Sequence, residues 1–143
     1  SSGLYENAFG GSLPRREDKE YLRKKIAFTF HDPKHATDDL VEECYVTVND
    51  KAKLIRILSL AKSAIRHNMA KDLPNLRMPV CLIWGKQDGV TPPHVAEEFH
   101  ALIPHSDLFW IDECGHAAMM EHPDKFNAIV DTWLGKTLQK VEG

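Results

Sequence analysis

The stretch Val80-Cys81-Leu82-Ile83-Trp84 constrains this chain more than any other. It is apolar at every position, rich in β-formers, and bounded by Pro79 and Gly85. A strand with one wet face alternates polar and apolar residues, so a run without alternation suits a strand covered on both faces, as in a parallel sheet. Parallel neighbours need a long crossover, usually a helix. The sequence supplies one, because Thr91-Pro92-Pro93 opens a helical pattern that runs to about Leu102 and is closed by Pro104. A second strand is expected at residues 107–112, read as Asp-Leu-Phe-Trp-Ile-Asp. His122-Pro123-Asp124 then opens a last helix with Phe126, Ile129, Val130, Trp133 and Leu134 on one face and Gly135 at its weakening end. Strand, helix, strand, helix reads as a βαβ unit followed by a further helix, hence an α/β fold with parallel strands and flanking helices. Trp84 and Trp110 are expected in the sheet core.

The residues before this unit have a different period. Asp18 is placed to cap a helix in which Tyr21, Leu22, Lys25, Ile26, Phe28 and Phe30 recur at helical steps, until His31-Asp32-Pro33 breaks it. Thr37 is an N-cap for a helix over residues 38–48, with acidic residues in the first turn where the helix dipole favours them. Asn49-Asp50 starts a third helix with Leu54, Ile57, Leu58, Ala61 and Ile65 on one stripe. Residues 1–16, rich in Gly, Ser, Asn and Pro, read as loop. Three zones follow: residues 1–16, a helical zone at 17–76, and the α/β part at 77–143.

Composition removes several function classes. The chain has 143 residues, 18 basic and 21 acidic, for a net charge of −3, and no basic block that would hold a phosphate backbone, so nucleic acid is not an expected partner. The five-residue run at Val80 is far short of the ~20 needed to span a bilayer, so no membrane association is expected either. Cys44, Cys81 and Cys114 form no CxxC pair, which argues against a disulfide framework or a cysteine zinc site and for a reducing, cytoplasmic setting. No HExxH occurs among the eight histidines, and neither a metal nor a cofactor is implied.

In open α/β sheets, sites form beyond the carboxyl ends of the strands. After the first strand comes Gly85-Lys86-Gln87-Asp88-Gly89-Val90, and after the second Glu113-Cys114-Gly115-His116. Asp88 and His116 each lie four residues past the last residue of their strand, so parallel neighbours would bring both to one edge. A carboxylate on one imidazole nitrogen fixes the tautomer and leaves the other nitrogen free as a general base. Each residue also has a plain reading, Asp88 as a turn former and His116 as a solvated loop residue. Their matched offsets after consecutive strands are what singles them out.

These residues carry a family resemblance. Met78-Pro79-Val80, Trp84-Gly85, Asp88, Thr91-Pro92, Ile103-Pro104, Cys114-Gly115-His116, Glu121-His122-Pro123 and Phe126 resemble the C-terminal end of α/β-hydrolase-fold enzymes, among them carboxylic-ester and carbon–carbon bond hydrolases. The resemblance implies that Asp88 is the acid and His116 the base of a catalytic triad. It implies a helical lid over residues 17–76, with residues 1–16 following an upstream strand. Val90 and Ala117, beside the two, become pocket-wall candidates or plain loop packing. One element departs from the family: none of Ser1, Ser2, Ser12, Ser59, Ser63 and Ser106 sits in a GxSxG elbow. Cys114 reads as a buried inert thiol rather than a substitute nucleophile.

Two functional expectations follow. The first is a hydrolase of a small ester-like or carbonyl substrate whose nucleophile lies outside this sequence. The start at Ser1, without Met, then reads as the back part of a longer protein, a removed leader or an expression scar. The second is a non-catalytic binding module whose open strand edge pairs with another copy or with an upstream part of the protein.

Overall fold

Asp18 starts the first helix, α1 (Lys19–Ala27), by accepting the Tyr21 N–H at 3.0 Å. The computed structural model describes residues 15–67 and 69–141, so the expected loop at residues 1–14 lies outside the described residues. The helical period continues past Ala27, but the helix does not. Phe28 and Thr29 close it by donating to Lys24 O and Ile26 O, and Phe30 lies in the turn beyond, buried at 7% exposure. Asp32 caps a short 3-10 turn (Pro33–His35) by accepting the Lys34 N–H.

Thr37 and Asp50 act as expected. Thr37 Oγ1 accepts the Leu40 N–H at the start of α2 (Asp38–Asn49), and Asp50 accepts the Lys53 N–H at the start of α3 (Lys51–Arg66). Leu22 of α1 and Val41 of α2 are buried, each contributing about 1.5–3 kcal/mol by leaving water. Around them Lys19 pairs with Glu42, and Arg23 joins Asp38 at 2.5 Å and the Ala36 carbonyl at 2.8 Å. The α3 stripe is less covered, since Leu54, Leu58 and Ala61 are half-buried and Ile57 is exposed. Two 3-10 turns (Met69–Lys71, Leu73–Asn75) lead out of the helical zone.

Strand β1 (Val80–Gly85) pairs in parallel with β2 (Ser106–Ile111), in a register that sets Val80 against Ser106 and Gly85 against Ile111. Helix α4 (Pro93–Leu102) makes the crossover. Both strands differ from expectation in cover: their side chains are mostly half-buried, because the sheet has two strands among the described residues. A core forms where Ile111, Cys114 and Ala118 meet Ile83, Phe126 and Ile129.

The chain after β2 departs from expectation in three ways. A one-turn helix, α5 (Ala118–Glu121), precedes the last helix, α6 (Pro123–Val141). Gly135 does not end α6; it lies inside it, with open space where a Cβ would be. Leu134 is exposed, while Phe126, Ile129, Val130 and Trp133 are half-buried; the Trp133 indole N–H reaches Asp107 at 2.8 Å. No helix among the described residues is long and apolar enough to cross a membrane.

Candidate active site

The register that aligns Gly85 with Ile111 sends both following loops out of one sheet edge. The ladder continues into them. Lys86 N–H donates to Ile111 O at 3.0 Å, and Gln87 N–H to Cys114 O at 2.9 Å. The Gln87 side chain returns the bond, its Oε1 accepting the Cys114 N–H at 3.0 Å. Glu113 makes the sharp bend between them with φ of 52°, a left-handed conformation that strains a residue with a side chain. The His122 Nε2–H donates to the Glu113 carbonyl at 2.7 Å and steadies that bend.

Asp88 is 5% exposed and its carboxylate is fully engaged. Oδ1 accepts the N–H groups of Val90 and Thr91, both at 2.9 Å. Oδ2 accepts the Thr91 hydroxyl at 2.8 Å and lies 2.9 Å from His116 Nδ1. Burial alone would raise the Asp88 carboxyl; the bonds from His116 and Thr91 outweigh it and hold the carboxyl below its ordinary value. The same contact, led by the hydrogen bond to Asp88, raises the His116 imidazole above its ordinary value. The His116 side chain is 39% exposed, and its Nε2 has no hydrogen-bond partner among the described residues.

Four residues beyond the expected pair build this site. Thr91 clasps Asp88 and places its Oγ1 3.1 Å from His116 Nδ1, while its carbonyl accepts the Trp84 indole N–H at 2.9 Å. Trp84, expected as plain sheet core, therefore pins the Asp88 turn to β1. Gln87 ties one loop to the other. Glu121 is buried at 5% exposure and accepts the Gly115 N–H at 2.7 Å. Thr91 left a physical signal, as a hydroxyl three residues after an Asp, the spacing of a side-chain-to-backbone turn, whereas Trp84 and Glu121 stood out in the sequence only within the motifs that carry the resemblance.

Val90 is buried and donates to Asp88; Ala117 is half-buried, and its carbonyl accepts from Met120 and Glu121. Neither lines a cavity of about 530 Å³ whose wall includes His31, His35, Glu113 and His122. Met119 and Met120, which follow the His loop, are more than half exposed. Cys114 is fully buried, and burial first, then Glu121, pushes its thiol up to about 11, which suits packing and not nucleophilic attack. No group of three or more His, Cys, Asp or Glu among the described residues is arranged to hold a metal ion.

Comparison with known proteins gives the family of the chain. The model of the alpha/beta hydrolase fold matches residues 5–123. A 2-hydroxy-6-oxononadienedioate/2-hydroxy-6-oxononatrienedioate hydrolase from a Pseudomonas species is 31% identical over 126 residues, which cover 87% of this chain and 44% of that protein. A pimeloyl-[acyl-carrier protein] methyl ester esterase from Aliivibrio salmonicida is 37% identical over 59 residues, 41% of this chain and 23% of that protein. Among solved structures, an alpha/beta hydrolase enzyme from the sediment metagenome of the Mar Chica lagoon, Morocco, is 58% identical with a TM-score of 0.63, over 69% of this chain and 45% of that one. The chain thus spans less than half the length of each of these relatives. The parallel βαβ edge, the helices that flank it and the match over most of its length agree: the chain belongs to the alpha/beta hydrolase fold family.

Proposed function

We propose that this chain carries the acid and base of a hydrolase triad, with Asp88 as acid and His116 as base, acting on a small-molecule substrate at a carbonyl carbon. The 2.9 Å contact between the buried Asp88 carboxylate and His116 Nδ1 carries the reading. With Nδ1–H held on Asp88, the lone pair of Nε2 takes the proton of a nucleophilic hydroxyl as its oxygen attacks the carbonyl. Asp88 stabilises the imidazolium that forms. The imidazolium then returns the proton to the leaving group, and a water repeats the cycle to free the enzyme. The nucleophile comes from a segment outside these 143 residues, since none of the six serines stands in a GxSxG elbow.

The names of two relatives support this substrate class. One is named for a 2-hydroxy-6-oxo dienedioate or trienedioate and the other for a methyl ester, and both compounds offer a carbonyl to attack. The helical zone at residues 17–76 serves as the lid, with its foot at residues 29–32 against the His116 loop. Val90 and Ala117 stay the wall candidates by their place beside Asp88 and His116, Ala117 as the half-buried one of the two.

The test is turnover of an activated short-chain ester by the protein that joins this chain to a segment bearing the elbow. His116→Ala is expected to lower kcat/KM by about 10²–10⁴-fold, the usual contribution of a positioned proton-transfer group. The 143-residue chain alone is expected to be inert. Unchanged turnover in the His116→Ala protein contradicts the reading.

A further inference from the structure

A second buried carboxylate stands on the other side of the His116 loop, and the proposed chemistry does not use it. Glu121 Oε2 accepts the Gly115 N–H at 2.7 Å and the His31 N–H at 3.1 Å, and Oε1 accepts the Asp32 N–H at 2.7 Å. Gly115 immediately precedes His116, whereas His31 and Asp32 come from the turn after α1, about 90 residues earlier in the chain. One side chain therefore fastens two segments that are remote in sequence. Burial alone would raise the Glu121 carboxyl, but the N–H groups of Asp32, Gly115 and His31 bring it below its ordinary value. Glu121 is thus an anion seated in a ring of backbone donors.

The surrounding backbone fits this fastening. His116 N–H donates to Thr29 O at 2.7 Å, so the segment that Glu121 holds also receives the base's own amide. A Cβ on Gly115 would fall 2.7 Å from Thr29 O and 2.8 Å from His31 N, so the approach exists only because residue 115 has no side chain. Four hydrogen bonds and one glycine contact then fix the height of the His116 backbone above the sheet edge. The reach of Nδ1 to Asp88 depends on that height.

We propose that Glu121 is a positioning residue for His116: by binding Gly115 to the His31–Asp32 turn it sets the backbone from which the imidazole meets Asp88. The proposal rests on the acid–base reading of Asp88 and His116. It adds that the foot of the helical zone and the base of the site move as one body, so a shift of the α1 turn shifts His116. Its neighbours on the cavity side, Lys34, His35 and His122, make no hydrogen bond to the Glu121 carboxylate.

The experiment uses the 143-residue chain with labelled histidine and reads two quantities by NMR. One is the titration midpoint of His116. The other is the exchange rate of the Gly115, His31 and Asp32 amides. Glu121→Gln and Glu121→Ala are expected to speed those amides by about 10–100-fold, what a hydrogen bond to a charged group is worth, and to lower the His116 midpoint. Glu113→Gln, on the same cavity wall, is expected to change neither. A purely structural fastener would speed exchange and leave the midpoint alone, and that result in a folded variant overturns the proposal. Should Glu121→Gln and Glu121→Ala lose their fold by circular dichroism, Glu121→Asp, one methylene shorter, decides on the same criterion. Asp88→Asn is the reference. If it leaves the His116 midpoint unmoved, the acid–base reading itself fails; if it lowers the midpoint and the Glu121 variants do not, only the positioning role fails.

Discussion

Gly85 and Gly115 lie backbone against backbone: a Cβ on Gly85 would collide with the Gly115 and Cys114 carbonyl oxygens and stand 2.8 Å from the Cys114 carbonyl carbon. The last residue of β1 thus touches the loop that carries His116. The obstructing atoms are main chain on both sides and cannot rotate away. Gly85→Ala is expected to destabilise the chain by about 3 kcal/mol, the upper part of the usual range for overpacking. Urea unfolding measures it. A change smaller than the ordinary scatter of surface substitutions, about 0.5 kcal/mol, would show that the two loops are not held in contact.

Thr91→Val removes the hydroxyl that donates to Asp88 Oδ2 at 2.8 Å and keeps the backbone N–H on Oδ1. A lost bond to a charged acceptor costs about 1.5–3 kcal/mol. Asp88 then concentrates its charge on His116, so the His116 midpoint should rise further while the Asp88 carboxyl becomes less depressed. Thr91→Ser should retain wild-type values in both. Equal unfolding midpoints for the Val and Ser variants would remove the hydroxyl from the account.

The pair also sets a pH window for stability. The His116 midpoint is raised in the folded chain, so its contribution is fully present below the unfolded value near 6.5 and is lost as pH rises through the folded one. The Asp88 midpoint is depressed, so its contribution is present above the unfolded value near 3.8 and is lost as pH falls through the folded one. The stability difference between wild type and His116→Gln should therefore form a plateau between those limits and shrink on the alkaline side. With the imidazole 39% exposed, solvent screening holds the plateau to about 0.5–1 kcal/mol. Urea midpoints across the range measure it. A difference that grows with rising pH would reverse the sign and contradict the geometry.

Particular residues show how far the sequence reached. The unbroken apolar run at Val80 marked a parallel strand, and Thr37 and Asp50 marked helix starts, because each is a local pattern with a local cause. Asp88 and His116 do reach one edge, but not at the equal offsets expected: the strands end at Gly85 and Ile111, so the two lie three and five residues beyond them, and the longer second loop takes up the difference at Glu113. The end of α1 was not legible. The helical period continues to Phe30, but the chain turns after Ala27 to meet Gly115 and Glu121, which lie some 90 residues on. Glu121 stood in a motif of the resemblance, but its part in the site was hidden for the same reason, since its three partners are main-chain groups brought by other segments. Gly135 misled because its helical backbone meets only open space, where a glycine costs about 1 kcal/mol and is tolerated. The half-buried strands show that a run without polar residues reports the cover a strand is suited to, and the described two-strand sheet leaves part of that cover unfilled.

The most direct test of the central claim is the His116 titration in wild type and in Asp88→Asn, followed through the imidazole nitrogens. A midpoint above about 6.5 in wild type that falls in the variant, with Nδ1 carrying the proton in the neutral ring, is the expected result. A wild-type midpoint at or below the ordinary value, or one that Asp88→Asn leaves in place, would contradict it.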